Sequence, residues 1–237
     1  MPLGASRAGL MSVAVDDIPD SDMFQNPIYQ FFAGSIEDSD GTSPVDYPEV
    51  LAELEDASAV DSPTFRADQD GFKAVEYDGS GDKHEWTPNE DIPTGSDPLS
   101  VAALVYHRDS NTLMRAFSYG EENEGRAFAL GVEDGNVETQ NFGADSGIIG
   151  SSTAPSGDWI TIGAKHTGSN DLDVYLNGDV DGSGSSSHDH DRANANHEIG
   201  DYIGRGDFWD GFIAEIVVCD GDESDQAFAD YHNDRLG

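Results

Sequence analysis

The sequence reads DWITIGAK at residues 158–165, LDVYLNG at 172–178, YIGR at 202–205 and FWDGFIAEIVV at 208–218. Every second position of the second stretch is apolar, at Leu172, Val174 and Leu176. A period of two places an apolar set on one side of a β-sheet. The stretch ends on Asn177 and Gly178, which both tolerate positive φ, and it therefore predicts a strand followed by a tight hairpin turn.

The last stretch has the same alternation, with apolar residues at Phe212, Ala214, Ile216 and Val218. We predict a strand with these four side chains on one face. In chain order there is a Trp-led strand, a Tyr-Leu-Asn-Gly hairpin, an Ile-Gly turn and a closing strand that contains Gly-x-Ile-x-Glu-Ile. This ordered series resembles the laminin-G-like branch of the concanavalin A-like jelly rolls, over roughly residues 28–237.

The resemblance implies an all-β fold, an antiparallel two-sheet jelly-roll sandwich (concanavalin A-like) over residues 27–237. The rest of the chain agrees with it, because turn residues separate further strand-like stretches, a pattern typical of antiparallel sandwiches. These stretches lie at 28–33, 99–106, 113–119, 126–132 and 137–142. The resemblance also implies that the first strand lies near the last, so we expect 28–33 to lie beside 211–219.

Between the predicted strands we expect a Gly/Ser loop at 143–157 and an insert at 179–197. A short helix is predicted at 48–56. A second short helix is predicted at 224–234, capped by Ser224, with Phe228 and Tyr231 packed on the sheet.

The composition is strongly acidic, with 48 acidic and 11 basic residues and a formal net charge of −37. Such a charge repels itself in dilute solution. In about 1 M salt the Debye length falls to about 3 Å, which screens the repulsion. The regular apolar alternation argues against a disordered chain. We therefore predict a folded protein from a halophilic source.

The same charge excludes several classes of partner. Nucleic acid and anionic membrane surfaces both require basic residues, so neither is expected as a partner.

Cys219 is the only cysteine, so no intrachain disulfide can form. The sequence has no run of about 18 apolar residues, so no transmembrane helix is predicted. Residues 1–15 do not have the pattern of a secretory signal.

Residues 1–26 are predicted to form an N-terminal extended arm or leader, because small and turn-forming residues dominate and no period is sustained. One interpretation is a frayed terminus. The other follows from residues 2–9, PLGASRAG, which resemble the starts of many tailed-virus virion proteins. That resemblance implies an arm that docks on other virion proteins and on copies of the same chain.

Catalytic groups are not evident in the sequence. A retaining glycosidase needs two carboxylates about 5–5.5 Å apart, and the sequence has no Glu-x-Asp-x-Glu run that would supply them from one strand. Glu76 with Asp78, and Asp171 with Asp173, have a suitable spacing but lie at turns or strand starts. We predict no catalytic residues and no enzyme activity, and keep a glycosidase as the least favoured alternative.

Metal-binding patterns are incomplete. Residues 179–184, DVDGSG, match the first half of a helix–loop–helix calcium loop, but position 12 would be His190 instead of Glu. Laminin-G-like relatives often hold calcium at the sandwich rim, sometimes through an Asp where this chain has Ala214. Without that Asp, calcium or another cation at the rim would have to bind other carboxylates. The candidates are Asp38, Asp40, Asp82 and Asp179. His188, His190 and His197 could bind a transition metal, but a solvated acidic loop is the simpler interpretation.

Carbohydrate binding requires a flat aromatic ring and polar groups for the hydroxyls. Our candidates are five residues near the start of the closing strand: Trp209, Tyr202, Arg205, Asp207 and Asp210. The alternative is that Trp209 closes the core. Trp86 and Trp159 are expected in the core, and Tyr106, Tyr119 and Tyr175 remain equally plausible sugar contacts.

The resemblances and the composition together favour a non-enzymatic structural protein of the virion of a haloarchaeal tailed virus. It would be a tail, fibre or capsid-surface component that presents a jelly-roll domain to a host-surface glycan. The alternative is a secreted or surface lectin-like adhesion module of a halophilic archaeon.

Overall fold

A computed structural model describes residues 24, 27–33, 58–86, 92–108, 113–121, 126–141, 147–186, 190 and 197–237. These residues form fifteen strands and one helix. In chain order they are β1 (Pro27–Phe32), β2 (Ser58–Val60), β3 (Thr64–Gln69), β4 (Phe72–Asp78), β5 (Lys83–Trp86), β6 (Leu99–His107), β7 (Met114–Gly120), β8 (Ala127–Glu133), β9 (Asn136–Asn141), β10 (Ile148–Thr153), β11 (Trp159–His166), β12 (Asp171–Leu176), β13 (Asp179–Ser185), β14 (His197–Ile199), β15 (Asp210–Asp220) and α1 (Asp225–Leu236).

The strands form two antiparallel sheets. In the first sheet the order is β13-β12-β11-β6-β15-β4-β3, and β1 pairs with β15 as well. In the second sheet the order is β10-β9-β8-β7-β14-β5-β2. The main core lies between them and is made of side chains such as Val105, Ile162, Phe117 and Leu130. The predicted antiparallel sandwich is therefore confirmed.

Pairing between the two ends of the domain is confirmed too. β1 runs antiparallel to β15, with Pro27 opposite Cys219 and Phe32 opposite Glu215. The Asn177-Gly178 turn is also as predicted, because both residues have positive φ, 52° and 83°.

The prediction of one apolar face on β15 is wrong. The pairing of β15 with β6 shifts between Ile213 and Glu215, which inserts one extra residue. Ile216 and Val218 point into the core between the sheets, whereas Phe212 and Ala214 belong to a cluster on the outer face of the first sheet. A bulge reverses the alternation, so the two halves of one strand serve opposite faces.

Two strands lie where a loop and an insert were predicted. β10 falls within 143–157, and β13 occupies the start of 179–197. Both are rich in Gly and Ser, which lets them approach closely: a Cβ on Gly182 would lie 3.0 Å from the carbonyl oxygen of Ile149. Because the DVDGSG segment is a strand paired with β12, it is not a helix–loop–helix calcium loop.

Helix α1 begins where predicted. The Ser224 side chain accepts a hydrogen bond from the amide of Ala227, 3.2 Å away, and so caps the first turn. Phe228 and Tyr231 are buried against the outer face of the first sheet, as expected. Phe24, the one described residue of the N-terminal 26, contacts the Phe228 ring at a centroid distance of 5.3 Å.

The rest of the predicted arm lies outside the described residues, as does the predicted helix at 48–56. The side chain of Trp86, for which a core position is predicted, is not described either. In the part of the chain that the structure describes, no helix is long and apolar enough to cross a membrane.

Candidate functional site

Trp209 is not a surface residue. Its side chain is 0% exposed and belongs to the core between the sheets, and its indole nitrogen donates to the carbonyl oxygen of Tyr106 at 3.3 Å. A sugar cannot stack on an enclosed ring, so the prediction of Trp209 as a sugar platform is wrong and its alternative, a core position, is what the structure has. Tyr202, at 1% exposed, offers no ring face to solvent either.

The other predicted residues of this segment lie over the second sheet. The loop at 200–209 brings Tyr202 and Asp207 to Arg115 of β7. The Arg115 Cζ atom lies 5.8 Å from the centre of the Tyr202 ring, and the Arg115 amide donates to the Asp207 carbonyl at 2.9 Å. Arg205 is exposed on the same loop. We call Arg115, Glu138, Gln140, Tyr202 and Asp207 the arginine cluster.

Arg115 is a fully buried cation held by two residues of β9. Its Nη2 atom donates to Glu138 Oε2 at 2.5 Å and to Gln140 Oε1 at 3.1 Å. Burial raises the pKa of Glu138 to about 7, although Arg115 lowers it in part. Burial also raises the pKa of Asp207, and Arg115 again opposes the shift. Burial therefore outweighs the attraction of the guanidinium, and both carboxyl groups retain protons more readily than ordinary surface acids.

Asp210, the fifth predicted residue, lies on the first sheet instead. It begins β15 and accepts a hydrogen bond from Arg108 Nη1 at 3.1 Å. Arg108 also pairs with Glu76 of β4, and its Cζ atom lies 4.6 Å from the centre of the Phe212 ring. Asp210 therefore marks the edge of a different surface from the one that contains Tyr202 and Asp207.

The surface beside Asp210 is on the outer face of the first sheet and consists of four aromatic rings. We call it the aromatic patch: Phe72, Tyr106, Trp159 and Phe212. Three of them stand directly opposite one another on neighbouring strands, with Trp159 opposite Tyr106 and Tyr106 opposite Phe212. Glu76 continues the row opposite Phe212. Cross-strand neighbours have Cβ atoms about 4.5–5.5 Å apart, so the rings form a continuous row.

The rings of the aromatic patch contact one another edge to face or tilted. Tyr106 lies 5.8 Å from Trp159 and 5.4 Å from Phe212, between ring centroids. Phe72 lies 5.0 Å from Trp159, and the indole nitrogen of Trp159 donates to the Gln69 carbonyl at 3.1 Å. Phe212 is nearly buried, whereas Phe72, Tyr106 and Trp159 are partly exposed.

Charged groups border the patch. Arg66 donates through Nε to Glu76 Oε2 at 2.7 Å, and Arg108 joins Glu76 to Asp210. The side chains of Arg66, Arg108 and Asp210 are each about one-third exposed. Apolar rings beside exposed donors and acceptors can contact the apolar face of a sugar and hydrogen-bond its hydroxyls.

The expectation of a core position for Trp159 is corrected. β11 buries Ile160, Ile162 and Ala164 toward the other sheet, so Trp159 points outward with Thr161 and Gly163. The alternation of the strand could have indicated this, because the more regular apolar set excludes the tryptophan. No pattern in the sequence predicted that Phe72 would lie beside Trp159 in the aromatic patch.

Of the four metal candidates, only Asp82 and Asp179 lie in the described part of the chain, and they form no metal site there. Asp82 is buried and accepts a hydrogen bond from the Ser62 amide at 2.8 Å, and burial raises its pKa. Asp179 is exposed at the start of β13, and Asp38 and Asp40 lie outside the described residues. Among the residues that the structure describes, no three His, Cys, Asp or Glu side chains are placed to hold a metal ion.

Two of the histidines considered as metal ligands, His190 and His197, are buried. His190 Nδ1 is 2.9 Å from the Tyr119 hydroxyl and its Nε2 is 3.1 Å from Asn141 Oδ1, while the His197 ring stacks on Tyr119. His188 lies outside the described part of the chain.

Solved structures with a similar fold include carbohydrate-active and toxin proteins. Domain 4 of AbnA, an extracellular arabinanase from Geobacillus stearothermophilus in complex with arabinotriose, matches at a TM-score of 0.63 and 17% identity, over 81% of this chain and 98% of that one. The binding domain of Paraclostridial Mosquitocidal Protein 1 matches at 0.58 and 17%, over 77% and 47%. The binding domain of botulinum neurotoxin serotype D matches at 0.52 and 14%, over 68% and 42%.

The chain thus matches less than half of each toxin chain. At these low identities, the structural similarity shows a shared fold alone. No curated protein sequence matches the chain. A family model of laminin-G-like domains, described as concanavalin A-like lectin/glucanases superfamily, matches residues 78–226. This match spans more than half of the chain and includes strands of both sheets, so the protein belongs to the concanavalin A-like lectin/glucanases superfamily.

Proposed function

We propose that this chain is a non-enzymatic glycan-binding domain that binds through the aromatic patch. The observation that carries the proposal is the cross-strand row of Trp159, Tyr106 and Phe212, in which Trp159 and Tyr106 are partly exposed and which Arg108 and Asp210 border. The complex of AbnA domain 4 with arabinotriose supports sugar binding by this fold. The two similar toxin structures are binding domains, which supports a binding role without catalysis.

The chemistry of the patch suits a neutral or weakly charged sugar. An aromatic ring offers a large apolar face at a small entropic cost, because its side chain has two rotatable bonds. Arg108 supplies N–H donors, and Asp210 and Glu76 supply acceptors at the same edge. Because these charges are already paired, the patch is close to neutral on a protein whose formal net charge is −37.

The biological setting is the second part of the proposal. The acidic composition and the likeness of residues 2–9 to virion-protein starts favour a tail, fibre or capsid-surface component of a haloarchaeal tailed virus. It would assemble through residues 1–26 with other virion proteins and with copies of itself, and bind host-surface glycan. A lectin-like adhesion module on or outside a halophilic archaeon is the alternative. Neighbouring genes for portal and tape-measure proteins would favour the virion.

A rim cation and a glycosidase activity are weaker candidates. A cation such as calcium would have to use carboxylates among Asp38, Asp40, Asp82 and Asp179, of which Asp179 is exposed. Glycosidase activity is the least favoured candidate, because Glu76, the acid opposite Phe212 on the neighbouring strand, is held by Arg66 and Arg108.

The direct test replaces Trp159. The wild-type chain and Trp159→Ala are screened in concentrated salt against immobilised neutral glycans, including arabinose oligosaccharides. We expect Trp159→Ala to weaken the best glycan roughly 30-fold, the loss of about 2 kcal/mol that is typical of an aromatic anchor. Ile149→Ala is the matched control, since Ile149 is an exposed apolar residue of the other sheet. Equal binding by all three proteins would refute the proposal.

A further inference from the structure

The arginine cluster has hydrogen-bonding capacity that its own residues do not use. The Arg115 side chain is 0% exposed, and its Nε and Nη1 atoms have no hydrogen-bond partner within the described structure. Buried polar groups are nearly always hydrogen-bonded, and a charged donor left without an acceptor is costly. An acceptor atom supplied from outside the chain would remove that cost.

The charges around Arg115 restrict what the acceptor can be. Six charged groups influence the pKa of Tyr202 or Asp207 electrostatically. Two are basic, Arg115 and Arg205, and four are acidic, Glu133, Glu138, Asp201 and Asp207 itself toward Tyr202. Even with the raised pKa values of Glu138 and Asp207, the carboxyl groups at least balance the two guanidinium groups, so the surroundings have no excess positive charge to hold an anion. An ammonium group has no lone pair to accept from Arg115. A neutral hydroxyl fits both requirements, because it accepts from a guanidinium and donates to a carboxylate or amide oxygen.

A loop covers the cluster. Tyr202 packs on Ala127 and Ala129, the small outward-facing residues of β8. The Gly204 amide donates to Glu198 Oε2 at 2.8 Å, and the Gly206 amide donates to Asp201 Oδ1 at 3.0 Å. Ser118 of β7 holds the loop as well, since its hydroxyl donates to the Asp201 carbonyl at 2.9 Å and accepts from the Ile203 amide at 3.3 Å.

The same loop carries backbone strain. Ile203 has a φ of 42°, which a β-branched residue rarely adopts. Such strain persists only where the surrounding contacts impose it, so a ligand that displaced the loop would offset part of its own cost by releasing the strain. Gly204, the next residue, also has a positive φ, 71°, and is exposed.

We propose that the arginine cluster is a second ligand site, on the opposite sheet from the aromatic patch, that binds one neutral hydroxyl-bearing ring or polyol beneath the loop at 200–206. Arg115 donates to a ligand hydroxyl, and that hydroxyl donates to Gln140 or Glu138. The site does not depend on the aromatic patch.

The test observes Arg115 directly. The protein is labelled with ¹⁵N-arginine, and the Nε–H resonances are followed during titration with glycerol and with methyl glycosides of glucose, galactose and mannose. Sodium sulfate and methylammonium chloride, at matched ionic strength, are the anionic and cationic controls. We expect a saturable shift of the Arg115 resonance with at least one neutral probe and with neither ion.

Two variants complete the test. Gln140→Leu keeps the size of the side chain but removes an acceptor, so the neutral probe should bind several-fold more weakly. Trp159→Ala should leave the Arg115 shift unchanged, which separates this site from the patch. An Arg115 resonance that no neutral probe moves, or that sulfate moves as strongly, would overturn the inference.

Discussion

The outer face of the first sheet has two halves that are built differently on the same strands. One half is covered by α1, where Phe228 and Tyr231 pack on Tyr175, Ala102 and Val217. The other half is the aromatic patch, which Leu236 at the end of α1 contacts but where Phe72, Tyr106 and Trp159 stay partly exposed and paired charges form the border. Strands β6, β11 and β15 contribute to both halves. Burial against the helix serves stability, whereas the partly exposed rings would contact the glycan in the proposed function.

Removing the central ring of the covered half should have the largest effect. Phe228 stacks on Tyr175, with ring centroids 3.8 Å apart and planes at 5°, and also contacts Phe24. Phe228→Ala should lower the free energy of unfolding by about 3–5 kcal/mol, the usual cost of a buried Phe→Ala change. Denaturant unfolding in concentrated salt measures it. Phe72→Ala, in the open half, is the matched control and should cost clearly less; equal losses would mean that the two halves do not differ as described.

A single methyl group should disturb the covered half next. Gly163 lies beneath the helix, and a Cβ there would be 2.7 Å from Phe228 Cε1. Gly163→Ala should therefore lower the free energy of unfolding by about 1–3 kcal/mol, because the ring must move outward. Gly168→Ala is the control, since its Cβ would meet no atom closer than 3.5 Å. A Gly163→Ala protein as stable as Gly168→Ala would contradict this helix position.

The smallest effect concerns the first turn of α1. Asp225 accepts hydrogen bonds from Lys165 Nζ at 2.8 Å and from the Tyr175 hydroxyl at 2.7 Å, and these lower its pKa. A carboxyl with a lowered folded-state pKa stabilises the protein above its unfolded pKa, and that stability is lost as the pH falls through the folded value. Since the side chain is largely exposed, Asp225→Asn should cost no more than about 1 kcal/mol near neutral pH.

Melting temperatures of the wild type and Asp225→Asn, measured from neutral pH down to well below the ordinary aspartate pKa, would test this. The difference between the two proteins should shrink toward zero at the acid end. A constant difference would show that the helix start is stabilised in another way.

Much of the fold was predictable because its strands obey simple periodicity. Leu172, Val174 and Leu176 face the core as their spacing indicates, and the Asn-Gly turn follows them. The Gly/Ser-rich strands β10 and β13 were missed because small residues carry no apolar alternation. The bulge at Ala214 was missed as well, because a bulge is fixed by pairing with the neighbouring strand and not by local sequence.

The sites were less predictable for a related reason. Whether a tryptophan is a platform or a core residue depends on which way its side chain points. Trp159 was predicted in the core and points outward, whereas Trp209, a candidate sugar contact with the core as its alternative, is buried. Arg115 lies within a strand between apolar residues and has no sequence signal of its own. It became a candidate only through the loop at 200–209, which brings Tyr202 and Asp207 to it.

The most direct test of the two-halves account compares Trp159→Ala with Phe228→Ala, with glycan affinity measured by calorimetry and stability by unfolding in the same concentrated salt. The account predicts that Trp159→Ala loses most of the glycan affinity and little stability, whereas Phe228→Ala loses stability and, while folded, keeps its affinity. Retained affinity in Trp159→Ala, together with reduced affinity in folded Phe228→Ala, would contradict the account.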